Sequence, residues 1–180
     1  YRLLDALSSN GFCGRCYAIN PHAATIAGMQ TYPSLRALPE PVDLAVIAVP
    51  KDAVISVVDD CAATGVRALV VITAGFAEVG AEGRRLQGQL LEKVRQQGLR
   101  MVGPNCFGIL NTDPAVRLNA TFTSTFPLAG SIAMSSQSGA LGLALLAASE
   151  RLQLGLSTFV SVGNKADVSV NDLLQYWEND

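Results

Sequence analysis

The chain has 180 residues, 49% hydrophobic and 16% charged, with 15 Asp and Glu against 13 Lys and Arg for a formal net charge of -2. That supplies a core and lacks the basic footprint of a nucleic-acid binder. No run of about 18 or more apolar residues occurs, so no membrane span is expected, and the four cysteines do not form a secreted-type disulfide framework. A reducing, cytoplasmic setting is the expectation.

In chain order, residues 1–9 read as a helix with Leu3, Leu4 and Leu7 on one face rather than as a signal peptide. Cys13-Gly14-Arg15-Cys16 has CxxC spacing, but it precedes a strand instead of lying where a strand enters a helix. No second pair completes a zinc site, so a helix-to-strand turn with two thiols is the plainer expectation. A short strand at 15–19 stops at Asn20-Pro21, and 34–38 reads as a helical turn. Leu44-Ala45-Val46-Ile47-Ala48-Val49 is the continuous apolar run of a parallel strand covered on both faces, ended by Pro50. A helix follows over about 52–64, with Val54, Val57, Val58 and Cys61 on one side and Gly65 as its stop. Next come a buried strand at 68–72, a helix over about 82–97 burying Leu86, Leu90 and Val94, and a short strand at 99–102.

Strand, helix, strand, helix, strand is a doubly wound unit whose right-handed crossovers bring the carboxyl ends of the strands to one edge. Those ends are Asn20-Pro21, Val49-Pro50, Thr73 to Phe76, and the loop Gly103-Pro104-Asn105-Cys106-Phe107-Gly108. They are expected to converge on one ligand. The last loop, with a glycine at each end and a φ-fixing proline, reads either as a ligand loop or as a tight turn holding a buried cysteine.

Residues 111–129 read as a linker containing a strand candidate at 118–122. A second unit then opens with a strand at 131–134, the loop Ser135-Ser136-Gln137-Ser138-Gly139, a helix at 140–152, a strand at 156–162 and a helix at 170–177 capped by Ser169. Free N-H groups at a helix start beside small hydroxyl residues suit a phosphate, with a plain helix cap as the alternative. The loop has neither Walker spacing nor the glycines of a GxSxG elbow. Asn164-Lys165-Ala166-Asp167 reads either as a lining for a phosphoryl site, with Lys165 neutralising charge and Asp167 orienting it, or as a capped loop. Both chain ends read as cuts, so an internal piece of a longer protein is expected.

The set DLAVIAVP, VITAGFAEVG, GPNCFGILN, LNATF, SSQSGALG and FVSVGNKADVSVNDLL resembles, over nearly the whole chain, the NDP-forming acyl-CoA synthetases, the superfamily that includes the α subunit of succinyl-CoA synthetase. The resemblance implies an α/β protein: a CoA-binding Rossmann-like domain over residues 1–123, lacking its first strand, then the first half of a flavodoxin-like doubly wound ligase domain over 124–180. The implied reaction joins a carboxylate to CoA at the expense of a nucleoside triphosphate, through an acyl phosphate and a phosphorylated histidine.

Position by position, the resemblance puts the CoA cradle on Asn20, Pro21 and His22, on Val49, Pro50 and Lys51, on Ile72, Thr73, Ala74, Gly75 and Phe76, and on Asn105 and Cys106 near the thiol. It puts phosphate at Ser136, Gln137, Ser138 and Gly139. The implied cofactors are CoA and, through regions outside this chain, ATP/ADP with Mg. The implied partners are a small carboxylate and an ATP-grasp domain or subunit, with no nucleic acid and no membrane; a homo-oligomer stays open.

His22 stands where many members carry lysine, which weakens a charged contact to a CoA phosphate, and it is the only histidine. The phosphorylated histidine and its partner glutamate are therefore expected outside the chain, which should bind without catalysing. An alternative implied by resemblance is the synthetase-like sensor region of a GNAT-type protein lysine acetyltransferase. A serine hydrolase or NAD enzyme fits poorly, because a triad would have to use His22 and no GxGxxG is present.

Overall fold

The computed structural model describes residues 2–178. Helix α1 (Arg2–Ser9) turns Ala6 and Leu7 inward. The strand expected at 15–19 shrinks to β1 (Ala18–Ile19), which pairs in parallel with β3 (Met29–Tyr32), itself antiparallel to β2 (Thr25–Ile26). The β2–β3 hairpin escaped the sequence reading because its two-residue turn is Ala27-Gly28. Both residues have positive φ, 50° and 76°, but the pair lacks the Asn-Gly or Asp-Gly signature that marks such turns.

The continuous apolar runs form a parallel sheet in the order β4 (Leu44–Ile47), β5 (Ala68–Val71), β6 (Arg100–Val102). Helices α2 (Val54–Ala63) and α3 (Ala81–Gln96) alternate with these strands, each entered through a 3-10 turn, Lys51–Ala53 and Ala77–Val79. Ile47, Leu69, Val71 and Met101 from the sheet pack with Val54, Val58 and Cys61 of α2, Leu90 and Val94 of α3, and Phe76. Full burial of a large apolar side chain contributes about 1.5–3 kcal/mol, so this cluster anchors the sheet. Gly83 sets how close α3 can come: a Cβ there would lie 1.8 Å from the Phe76 carbonyl oxygen.

A second sheet runs in the order β8 (Leu118–Thr121), β7 (Gly108–Asn111), β10 (Leu156–Ser161), β9 (Ala129–Ser136). β9 and β10 are parallel, whereas β7 is antiparallel to both of its neighbours. The stretch read as a linker thus carries a strand of this sheet. The GPNCFG loop runs directly into β7, and Ser135 and Ser136 belong to β9 rather than to a loop. Helices α4 (Gly139–Arg151) and α5 (Val170–Trp177) follow, and Leu110, Leu146, Leu156 and Phe159 make a second core. Helix α1 packs on β8, and Arg117 Nε donates to the Asn10 carbonyl at 3.0 Å. No helix among the described residues is long and apolar enough to cross a membrane.

The two sheets meet along residues 163–168. Beyond β10 the chain runs beside β6, and the N-H groups of Asn164, Ala166 and Val168 donate to the carbonyls of Pro104 (2.9 Å), Gly103 (3.0 Å) and Met101 (3.1 Å). Asp167, whose side chain is 6% exposed, accepts from the Met101 N-H at 2.9 Å and from Arg100 Nε at 3.1 Å, with Arg95 Nε at 3.6 Å. Asp167→Ala should leave the buried Met101 N-H without an acceptor and cost about 1–3 kcal/mol. The check is a lower urea midpoint with an unchanged m value; an unchanged midpoint would remove Asp167 from this role.

Candidate functional site

Three of the four expected strand ends form one hydrogen-bonded cluster at the carboxyl edge of β4-β5-β6. Thr73 Oγ1 donates to the Val49 carbonyl at 2.7 Å, and the Asn105 N-H donates to the Thr73 carbonyl at 3.0 Å. Pro50 and Lys51 continue from Val49. The exposed Lys51 lies against Gly75, where a Cβ would be 3.0 Å from Lys51 Cδ. Ile72 extends β5 by donating its N-H to Ile47 at 2.9 Å, and Ala74 is exposed.

The fourth end borders a cavity that the other three do not line. Asn20, Pro21 and His22 line an open cavity of about 300 Å3 together with Ala23, Ala24, Thr31 and Pro33. Asn20 Oδ1 accepts from the N-H groups of His22 (2.8 Å) and Ala23 (3.2 Å), a local turn closed by its own side chain. Among the described residues no hydrogen bond joins this turn to the other three loops. The reason is the sheet order: β1 pairs with β3, not with β4.

Phe76 is fully buried in the core and offers the site only its backbone. Even that is taken. Glu78, a residue the sequence reading did not single out, accepts the N-H groups of Gly75 (2.5 Å) and Phe76 (3.1 Å) on Oε1. Its Oε2 accepts from Asn164 Nδ2 at 2.6 Å. Burial works to raise the Glu78 carboxyl, but the hydrogen bonds from Asn164, Gly75 and Phe76 outweigh it and hold the group below the usual carboxylate value. The only local signal for Glu78 was its position in the turn three residues beyond Gly75.

Cys106 is turned inward, its thiol donating to the Val71 carbonyl at 3.3 Å. Burial pushes that thiol up to about 12. The side chain therefore fits the buried-cysteine alternative, and Asn105 is the residue of the loop that keeps a polar group accessible. Cys13 is exposed and Cys16 half-buried, both free; burial raises the Cys16 thiol, the opposite of what a reactive thiolate requires.

The second candidate stretch adjoins this edge through Phe107. A Cβ on Gly139, the first residue of α4, would lie 3.3 Å from Phe107 Cβ, and the Phe107 N-H donates to Ser161 Oγ at 2.9 Å. Ser138 is the N-cap, its Oγ accepting from the Leu141 N-H at 3.3 Å, and Ser136 Oγ donates to the Ser138 carbonyl at 2.8 Å. Gln137 is exposed. Asp167, read as orienting a phosphoryl group, is instead committed to Met101, Arg100 and Arg95, while Lys165 is exposed with φ +46°. Among the described residues no group of three or more His, Cys, Asp or Glu could hold a metal ion.

A parallel sheet with its loops gathered at the carboxyl edge, next to a capped helix start, defines an α/β cofactor-binding protein. Comparison with known proteins narrows this: the chain belongs to the CoA binding domain family, matched over residues 1–112, followed over 129–180 by a match to the succinyl-CoA ligase like flavodoxin domain, and so to the α-subunit-like family of the NDP-forming acyl-CoA synthetases. It is 45% identical over 169 residues to acetate–CoA ligase [ADP-forming] I of Archaeoglobus fulgidus, covering 94% of this chain and 24% of that protein. It is 41% identical over 184 residues to the α subunit of acetate–CoA ligase [ADP-forming] I of Pyrococcus furiosus, covering 100% of this chain and 39% of that one. The dinucleotide forming acetyl-coenzyme A synthetase 1 of Ca. Korarchaeum cryptofilum, solved with phosphate and ADP, superposes with a TM-score of 0.92 at 46% identity over 99% of this chain and 38% of its own. The chain thus spans about a quarter to two-fifths of the length of these relatives.

The burial of Cys106 and Cys61, pushed up to about 12 and about 11 from an ordinary value of 9.0, has a consequence at high pH. Because their folded values lie above the unfolded ones, the stability they contribute is complete below about pH 9 and is lost as the pH rises toward the folded values. Thermal melts should fall over that window, and Cys106→Ser should flatten part of the fall. At neutral pH iodoacetamide should label Cys13 quickly and Cys106 only on unfolding; rapid labelling of Cys106 in the folded protein would contradict its placement.

Proposed function

We propose that this chain supplies the CoA-binding part of an ADP-forming acyl-CoA synthetase acting on a small carboxylate such as acetate. The observation that carries the reading is the union of Val49 to Lys51, Thr73 to Phe76 and the GPNCFG loop at one carboxyl edge, in a chain matching the CoA binding domain family. In this reading CoA lies across that edge, with Lys51 as the exposed cation for its phosphates and with Asn20, Pro21 and His22 as a more distant part of the cradle. The start of α4, with Ser136, Gln137, Ser138 and Gly139, receives the phosphate of the reaction, where free N-H groups and the helix dipole favour an anion.

The phosphoryl chemistry itself needs groups beyond these residues. His22 is the only histidine and lines the separate cavity, so the chain binds and orients while a phosphorylated histidine, ATP/ADP with Mg and an ATP-grasp domain or subunit act from elsewhere in the whole protein. When bound, CoA supplies the thiol that accepts the acyl group. A synthetase-like sensor region of an acetyltransferase would share this cradle; the relatives named above are ligases, which favours the ligase reading.

Calorimetric titration with CoA tests the reading. Binding is expected, and Lys51→Ala should weaken it about two- to fivefold, the worth of one exposed charge contact, with a shallower salt dependence. Absence of CoA binding at millimolar concentration by the folded protein would refute it. No labelled phosphate should be incorporated from ATP by this chain alone; label on His22 would overturn the placement of that residue.

A further inference from the structure

Asn164 follows β10 in the second unit, yet its side-chain NH2 is spent on the first. It donates to Glu78 Oε2 at 2.6 Å and to Gln87 Oε1 at 2.9 Å, while its Oδ1 accepts from Asn105 Nδ2 at 3.2 Å. Its backbone N-H donates to the Pro104 carbonyl at 2.9 Å. One residue thus joins the 3-10 turn before α3, α3 itself and the turn after β6.

The contacts continue beyond Glu78. Its Oε1 accepts the N-H groups of Gly75 (2.5 Å) and Phe76 (3.1 Å). Gly75, with φ +102°, in turn backs the stem of Lys51: a Cβ there would come within 3.0 Å of Lys51 Cδ and 3.7 Å of its Cβ. The other side of the loop is held at Thr73, by the Val49 carbonyl and the Asn105 N-H. Glycine has the widest choice of backbone conformations, so the carboxylate on its N-H is what fixes the stretch between Thr73 and Phe76. Lys51 is the exposed cation assigned above to the phosphates of CoA. The backbone beside its stem is therefore set, through Glu78, from the second unit.

We propose that the second unit completes the cofactor edge of the first: Asn164 and Glu78 are positioning residues that, through Gly75, hold Lys51 where it meets the phosphates of CoA. The proposal rests on the CoA reading above. It adds that the segment matched to the CoA binding domain family, residues 1–112, does not place its own cation unaided.

Charge alone predicts the opposite of this proposal. Glu78→Gln removes a negative charge beside an anionic ligand, and on that ground CoA should bind more tightly. As a positioning change it should loosen binding: the new amide keeps an oxygen for Gly75 and Phe76 but sets its NH2 against that of Asn164. Turning Asn164 to suit would set its oxygen against that of Gln87, which the Ala77 N-H holds at 3.3 Å. Calorimetric titration of Glu78→Gln with CoA should show binding about three- to tenfold weaker, the worth of a single net hydrogen bond. Asn164→Asp places two carboxylates together and should weaken binding as well. The double variant Glu78→Gln/Asn164→Asp restores the wild-type charge and a hydrogen bond of reversed polarity, and should return the affinity to within about twofold of wild type. A direct contact of either side chain with CoA would not be restored by that exchange. Asp167→Ala, which loosens the same strap at Met101, should leave the affinity of the folded protein little changed. Where Asn164→Asp does not fold, Asn164→Ala takes its place, and adding Glu78→Gln to it should cost no further affinity. If Glu78→Gln binds CoA as tightly as wild type or more tightly, if the losses of the paired changes simply multiply, or if Asp167→Ala loses as much as Glu78→Gln, the proposal fails while the CoA reading stands. If the wild-type protein does not bind CoA, both fail.

Discussion

The arrangement depends on the pairing of residues 163–168 with β6 and the turn that follows it. Without that pairing β6 would be the open edge of a three-stranded parallel sheet, with unpaired N-H and C=O groups. Two glycines make the approach possible. A Cβ on Gly163 would lie 2.4 Å from the Pro104 and Asn105 carbonyl oxygens, and one on Gly103 would lie 2.5 Å from that of Val71. No other residue fits either position, and each glycine also has positive φ. The ends of β5, β6 and β10 are thereby drawn close enough for Asn164 to reach Glu78, 86 residues away in sequence.

The parts of the fold that were legible are those written locally. Residues 44–102 carry apolar runs of strand length, helices with regular apolar spacing and glycine stops, and the structure follows them within a few residues. What could not be read depends on distant partners. Gly108-Ile109-Leu110-Asn111 becomes a strand because Ile109 and Leu110 find Val160 and Phe159, about fifty residues on, a pairing no local pattern encodes. β1 had the right residues for a strand, yet periodicity is silent on which sheet a strand joins. That silence is why Asn20 to His22 were expected among loops to which, among the described residues, no hydrogen bond joins them.

The site shows the same division. Loops at the carboxyl ends of parallel strands could be listed from sequence because topology dictates where they gather. The groups that hold those loops were not legible as such: Glu78 and Gln87 are ordinary polar residues until the fold aligns them, and Asn164, read in a candidate phosphoryl lining, instead donates to both. Asp167 went the other way. A lysine and an aspartate after a strand look like phosphoryl chemistry, but the Met101 N-H, in a residue with no exposed surface, has the stronger claim on that carboxylate. A buried backbone donor must be answered, and the nearest acceptor is spent on it.

Where the chain has already supplied its own anion says something about where it leaves room for another. The donors of Gly75 and Phe76 are filled by Glu78, and the start of α5 is closed by a capping box in which Ser169 and Asp172 answer each other. The first turn of α4 is different: it has no acidic residue, its cap Ser138 takes only the Leu141 N-H, and its leading residues are Gly139 and Ala140, too small to cover the remaining donors. The first four N-H groups of a helix have no partner within it, so the donors beyond the one Ser138 accepts are left for something else. Phe107 closes one side of that turn and belongs to the GPNCFG loop at the carboxyl end of β6. In the proposed function this contrast marks the start of α4, with its open donors, as the place for the phosphate that the reaction must release.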